Sequence, residues 1–259
     1  MRLATFNILH GRSLRDGKVD LARYADAVRA LDADVLALQE VDRDQPRSHR
    51  ADLTLLAADA LGATEHRFAA TMHGHPGLWA AATGEDQPAA ASYGIALLSR
   101  YPVSTWEVVM LSYRKRLKPV RWPGRRWWSF ARDEPRAALV AVVEAPEGPM
   151  TVVATHLTVI PGWTQRQLVD LVDRLVPYPR PLVLMGDLNL RGDEPTRLTG
   201  MRSLVRAPTY PVARPDKQID HVLADGDIRA KQPGTAIDTG LSDHRALVVE
   251  VERGARVTP

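Results

Sequence analysis

The chain contains a series of short apolar runs, and each carries an acid, amide or imidazole at or near one end. They include "RLATFNIL" (2–9), "DVLALQE" (34–40), "PMTVVATHL" (149–157), "LVLMGDLNL" (182–190), "QIDHVL" (218–223) and "SDHRALVV" (242–249). Apolar runs of this length, bounded by turn residues, read as buried strands. Burying an unpaired carboxylate is costly. Asp187 and Asn189, two apart behind Gly186, therefore need a reason to be there.

Between these runs lie helical patterns. Leu21, Tyr24, Ala27, Val28 and Leu31 fall at helical spacing and predict a helix over 20–31. Residues 51–62 predict a second helix closed by Gly62, and 163–176 a third. The run 34–40 reads as a strand ending on Glu40, and 72–92 as loop. Further strands are expected over 94–100 and 104–111, and a pair joined by "PEG" at 146–148. Residues 191–217, rich in Pro and Arg, read as irregular. Strands outnumber helices, and no composition shift marks a boundary. The expectation is one domain over 1–259, of α/β class with mixed sheets. No Gly-rich strand-to-helix turn of a dinucleotide or P-loop fold occurs.

Composition adds three bounds. An apolar share of 45% can fill a large core, and a mean hydropathy of -0.22 suits a soluble globule. The absence of cysteine excludes disulfides, thiolate metal sites and a Cys nucleophile. The N-terminus enters strand-like sequence at once, without an apolar h-region or cleavage site. No run reaches the roughly 18 apolar residues of a membrane span. A cytoplasmic location is the expectation. The net charge is +3, yet residues 112–132 hold eight Lys/Arg and no acid, leaving the remainder near -5. The chain is a mildly acidic body carrying one basic segment, in which Tyr113, Trp122, Trp127, Trp128 and Phe130 are interleaved.

Taken singly, the polar strand-end residues have ordinary readings. Glu40 could cap a loop, Asn7 could satisfy a bulge, His156 could be a hydrogen-bonded strand-end histidine, and Asp243 could be a turn residue. Together, separate runs converge on metal and proton-transfer chemistry. The ordered set "TFNI", "LQE", "GIALLSR", "THL", "GDLN", "IDHVL" and "SDH" resembles the endonuclease/exonuclease/phosphatase superfamily over about residues 2–251. The resemblance implies a four-layered α/β sandwich, with two mixed β-sheets face to face and helices outside.

It also implies roles. Glu40 would be the main Mg²⁺ ligand, with Asn7 beside it and Asp243 at the metal directly or through water. Oxygen ligands suit Mg²⁺ or Mn²⁺ better than zinc. Asp187 would orient and deprotonate the attacking water, and Asn189 would hold Asp187 or a phosphate oxygen. His244, oriented by Asp220, and His156 would face the phosphate, without a protein nucleophile. Arg136 could reach phosphate or be an exposed strand-entry charge. His10, His49, His73, His75 and His221 have no motif support and read as structural or solvated.

A shared core does not choose a substrate. The motifs "QEVDRDQPRSHRADL" and "SYGIALLSRYPV" look closer to the bacterial, sphingomyelinase-like branch. The expectation is a metal-dependent phosphodiesterase acting on a lipid or other small phosphodiester. An endonuclease or exonuclease on DNA or RNA is the alternative, and an idle binding module the remote one. The 112–132 segment could dock on nucleic acid or an anionic membrane, clamp a small polyphosphate, or pack back on the body. No obligate protein partner is expected.

Overall fold

The chain is described by a computed structural model covering residues 1–82, 90–114, 118–120, 129–131 and 133–254, with backbone alone for 118–120 and 129–131. Most of the basic aromatic segment, including Trp122, Trp127 and Trp128, lies outside the described residues.

The first sheet has the strand order Ile228–Ala230, Ala246–Arg253, Arg2–Asn7, Val35–Arg43, Ser92–Ser99, Glu65–His75, Leu78–Ala81, and Thr235–Ile237 also pairs with Ala246–Arg253. The second has the order Arg202–Ser203, Asp220–Asp225, Leu182–Asp187, Gly148–His156, Arg136–Ala145, Val103–Leu111. Both are mixed. In the first, Arg2–Asn7 runs parallel to Val35–Arg43. In the second, Gly148–His156 runs parallel to Leu182–Asp187.

The continuous apolar runs are explained by burial on both faces. Successive strand side chains point to opposite faces. In Val35–Arg43, Val35 and Ala37 pack between the sheets, while Leu36 and Leu38 pack under the helices. In Leu182–Asp187, Val183 and Met185 face the other sheet, and Leu182 and Leu184 face a helix. Helices Leu21–Leu31 and Leu53–Leu61 cover the first sheet through Tyr24, Val28, Leu31, Leu53 and Ala57. Helix Trp163–Arg174 covers the second through Leu168 and Leu171. The result is the four-layered sandwich. The first two helices start where Asp20 and Asp52 accept backbone N–H bonds, and the second stops at Gly62, which takes the left-handed conformation at φ +70°. Among the described residues, no helix is long and apolar enough to cross a membrane.

Two sequence expectations need correction. Residues 65–81 are a β-hairpin, Glu65–His75 with Leu78–Ala81, where loop was expected from residue 72. Its buried stretch is "AATM", too short and Ala-rich to signal a strand. The strand read as ending on Glu40 continues to Arg43. A register shift between Gln39 and Val41 leaves Glu40 out of the ladder, at φ +58°. Val41 then takes the helix-facing side that Leu36 and Leu38 occupy. Glu40 is the extra residue of a bulge and so belongs to neither face of the sheet.

Candidate active site

The site lies where the inter-sheet core turns polar. On that face, Leu3 is followed by Thr5 and Asn7, and Val35 and Ala37 by Gln39. On the facing sheet, Val152 and Ala154 lead to His156, Val183 and Met185 lead to Asp187, and Val222 follows Asp220. Strand register sets His156 beside Asp187 and Asp187 beside Asp220. The polar residue at each strand end therefore stays on the face its apolar predecessors occupy, at one rim of the sandwich.

Asp187 is the meeting point. Its Oδ2 accepts from Asn7 Nδ2 at 3.1 Å and lies 3.4 Å from His156 Nε2 and 3.8 Å from His244 Nε2. Its Oδ1 accepts from the Asn189 backbone N–H at 3.0 Å. Asp187 is 2% exposed. Burial, reinforced by the charge of Asp220, lifts its carboxyl to about 7, although His244 and the Asn7 hydrogen bond pull the other way.

Asn7 clamps two carboxylates from opposite sheets. Its Nδ2 also donates to Glu40 Oε1 at 3.1 Å, and its Oδ1 accepts from the Leu9 N–H. Two carboxylate acceptors and one backbone donor fix which way the amide points. Asn7 thus offers nitrogen, not oxygen, toward Glu40, and spaces that carboxylate from Asp187.

Asn189 reaches Asp187 through its backbone N–H. The strand ends at Asp187, and Asn189 sits just beyond it at φ +51°, so the two do not share a strand face. Its Nδ2 donates to the Leu157 carbonyl at 3.0 Å. That bond ties "GDLN" to "THL" and turns the Asn189 N–H back onto Asp187. Leu188 is fully buried. Gly186 is required here: a Cβ would lie 1.9 Å from the Thr155 carbonyl oxygen, at φ +150°.

His244 is held between carboxylates. Its Nδ1 is 2.9 Å from Asp220 Oδ2, which also accepts from Thr209 Oγ1. Tyr210 packs on its ring at 5.1 Å. Burial works against the charge, yet Asp220, then Asp187 and Asp243, carry its pKa up to about 10. His156 is the opposite case. Burial first, then the charges of Arg136 and His244, hold its pKa well below the usual value. Arg136 Nη1 lies 3.1 Å from His156 Nδ1. Since Arg only donates, the neutral ring carries its proton on Nε2, toward Asp187. Arg136 is 6% exposed and its Nη2 pairs with Glu134 at 3.0 Å, so it is no exposed strand-entry charge.

Glu40 is partly exposed in a cleft of about 790 Å³ that also reaches Asp187, Asn189, His156, His244, Arg136 and Asp243. Burial raises its pKa, and the nearby Asp243 charge adds to this. The cleft contains groups with no motif to announce them. His10 lines it at φ +48° from the turn after Asn7, and Arg47, Tyr93 and Tyr210 line it too. His49, His73, His75 and His221 do not line it; His221 Nε2 bonds the Leu190 carbonyl at 2.8 Å and fixes the "GDLNL" turn. Asp220 stays behind His244, fully buried.

Asp187, Asp220 and His244 offer ligand atoms all within 4.8 Å of one another, and this group could hold a metal ion. The alternative is a hydrogen-bonded relay, since His244 Nδ1 and Thr209 already share Asp220 Oδ2. Asp220→Asn tests the relay. With the amide turned to donate at Nδ1, the His244 tautomer inverts, and kcat should fall by roughly 10²–10⁴-fold. Retained kcat would leave Asp220 without a part in orienting His244.

A buried carboxylate, two imidazoles and a partly exposed Glu thus meet in one cleft at the rim of two packed sheets, as the site of a hydrolytic α/β sandwich would require. The sequence model of the Endonuclease/Exonuclease/phosphatase family matches residues 4–244, and the chain belongs to this family. A protein described as endonuclease/exonuclease/phosphatase from Beutenbergia cavernae DSM 12333 is 27% identical, with a TM-score of 0.72 over 98% of this chain and 72% of that one. A mannosyl-6-phosphatase from Bacteroides thetaiotaomicron VPI-5482 is 15% identical, with a TM-score of 0.63 over 97% and 99%. Sphingomyelinase C from Streptomyces griseocarneus is 16% identical, with a TM-score of 0.60 over 96% and 98%. The last two show the shared fold. No curated protein matches the chain.

Proposed function

We propose that this protein is a divalent-metal-dependent phosphoric ester hydrolase, acting by in-line attack of water on a lipid or other small phosphodiester. The observation that carries the reading is the convergence of Asn7, His156 and His244 on one oxygen of a buried Asp187. A carboxyl with a pKa of about 7 is matched to taking a proton from water at neutral pH. His244, protonated, and His156, with its proton on Nε2, present donors to a phosphoryl group seated above Asp187. Asn189 keeps the Asp187 carboxylate oriented through its backbone N–H.

The residues fit a hard cation. Glu40 and Asp243 line one cleft, and burial, with the Asp243 charge, raises the Glu40 pKa against the pull of the Asn7 hydrogen bond and Arg136. Both donors are oxygen, which suits Mg²⁺ or Mn²⁺. When bound, the metal would polarise a phosphoryl oxygen and offset the charge of the leaving oxygen. Asn7 would hold Glu40 at a fixed spacing from Asp187.

The test is turnover of bis(p-nitrophenyl) phosphate. Activity should require Mg²⁺ or Mn²⁺, vanish with chelator, and return on adding metal. Glu40→Gln should raise the half-saturating metal concentration by at least tenfold. Full turnover in chelator would sink the metal site, and no turnover with either metal would sink the hydrolase reading. A panel of sphingomyelin, phosphatidylinositols, supercoiled DNA and RNA then separates a small or lipid diester from nucleic acid.

A further inference from the structure

The cleft holds one arginine whose construction the chemistry above does not use. Arg47 is the middle residue of a turn at Pro46–Ser48, beyond the end of the strand that carries Glu40. Its Nε and Nη2 donate to Asp42 Oδ2 and Oδ1 at 2.8 and 2.7 Å. Asp42 is fully buried and is further held by Ser48 Oγ at 3.0 Å. The guanidinium stands 5.5 Å from the Tyr93 ring. Among the described residues it makes no other hydrogen bond, and its other nearby charge is that of Glu40.

One edge of the guanidinium is thus fixed by the protein, and the other faces the cleft with Nη1 and the second Nη2 hydrogen unspent. The side chain is 32% exposed. A structural partner for Asp42 would need only the first edge. The remaining edge has the planar, paired-donor geometry that binds phosphate and carboxylate side-on. Because its orientation is already set, little rotamer freedom is lost on binding. The other cations of the cleft differ. Arg136 is occupied by His156 and Glu134. Arg191 is exposed without a fixed partner, and Lys217 lies over Tyr210. His10, beside Arg47, is kept neutral by burial and by that guanidinium, with a pKa near 4.

Arg47 and His10 stand on the Glu40 side of the cleft. Arg136 and His156 come from the opposite sheet, and His244 reaches across to Asp187. We infer that Arg47, with His10 beside it, is a second anion-recognising position, and that the substrate is a phosphate ester bearing a second anionic group, a phosphate or a carboxylate. This rests on the hydrolase reading and narrows its substrate class to doubly anionic esters.

The test compares phosphodiester pairs on the metal-loaded protein: glycerophosphoinositol 4-phosphate against glycerophosphoinositol, and glycerophosphoserine against glycerophosphoethanolamine. The wild type should prefer the doubly anionic member at least tenfold in kcat/KM, and the pair that shows it identifies the second anion. In Arg47→Gln that preference should fall at least tenfold, while Arg47→Lys should keep part of it. Should loss of the Asp42 partner unfold Arg47→Gln, the pair Asp42→Asn with Arg47→Gln removes the buried charge as well. Binding of inorganic pyrophosphate, followed by calorimetry, is read separately and should weaken at least tenfold in the Gln variant. No preference in the wild type, or an unchanged preference and pyrophosphate affinity in a folded Gln variant, would overturn the inference. Loss of all ester turnover with pyrophosphate binding still Arg47-dependent would overturn the hydrolase reading instead.

Discussion

Asp187→Asn is expected to lower kcat on bis(p-nitrophenyl) phosphate by roughly 10³-fold while leaving the protein more stable at pH 8. The two effects have one cause. The climb of the Asp187 carboxyl from 3.8 to about 7 corresponds to roughly 4 kcal/mol disfavouring its charged form. The native state therefore holds that proton more tightly than the unfolded chain does. The stability it supplies is present below the unfolded pKa and is lost as pH rises through about 7. An amide cannot ionise and escapes that loss. Its oxygen can still accept from Asn7 and the two imidazoles, but its NH₂ then faces the Asn189 N–H and that hydrogen bond is lost. Losing the attraction to protonated His244 takes back part of the gain, leaving about 1–3 kcal/mol above pH 7 and little below pH 4. That corresponds to a rise in Tm of roughly 2–10 °C at pH 8 in metal-free buffer. An Asn variant with wild-type kcat would remove Asp187 from proton transfer. One that is less stable at pH 8 than the wild type would show that the carboxylate is not penalised.

Gly94→Ala should be the most damaging single methyl in the first sheet. A Cβ at Gly94 would lie 1.9 Å from the Ala69 carbonyl oxygen and 3.0 Å from Ala70 Cα. These are backbone atoms of a neighbouring strand, so no rotamer change relieves the clash. Gly94 pairs with Val41 on one side and Ala70 on the other, and each pairing adjoins a register shift. The expected cost is about 3 kcal/mol, or a Tm lower by roughly 6–12 °C. Because the Val41 side is the bulge that presents Glu40, the surviving folded protein should also need more metal for half-maximal turnover. Gly62→Ala makes a control: at φ +70° with nothing within 4 Å, it should cost only about 1 kcal/mol and leave metal dependence unchanged. A Gly94→Ala protein with wild-type Tm would show that the strand can shift without penalty.

These two positions differ in how legible they were. Asp187 stood out because a carboxylate at the end of an apolar run contradicts its surroundings, and chain order then linked it to His156, Asp220 and His244. The sheets were legible for the same reason, since doubly buried strands leave unbroken apolar runs. Glu40 was visible as a residue but not as a bulge. A bulge changes which face the later residues take, and "QEVDR" reads acceptably in either phase. Asn7 was visible as a polar strand residue, but the direction of its amide depends on partners 33 and 180 residues away. Arg47 and His10 were not legible as cleft residues, because a charge in a turn looks solvated until the fold closes over it. The hairpin at 65–81 was missed because only its middle is buried.

Asn7 joins the two halves of the sandwich at their working edge. It gives one amide hydrogen to Glu40 of its own sheet and the other to Asp187 of the facing sheet, while His244, entering from the first sheet's loop, reaches Asp187 and Asp220 on the second. No sheet owns the chemistry. A slide of one sheet over the other by an ångström would break the cross-sheet hydrogen bonds of Asn7 to Asp187 and of His244 to Asp220, at 3.1 and 2.9 Å, together. The rim thus acts as a gauge of alignment for the whole molecule. Core substitutions far from the cleft, if they let the layers slip, would be felt first as lost turnover and only later as lost fold.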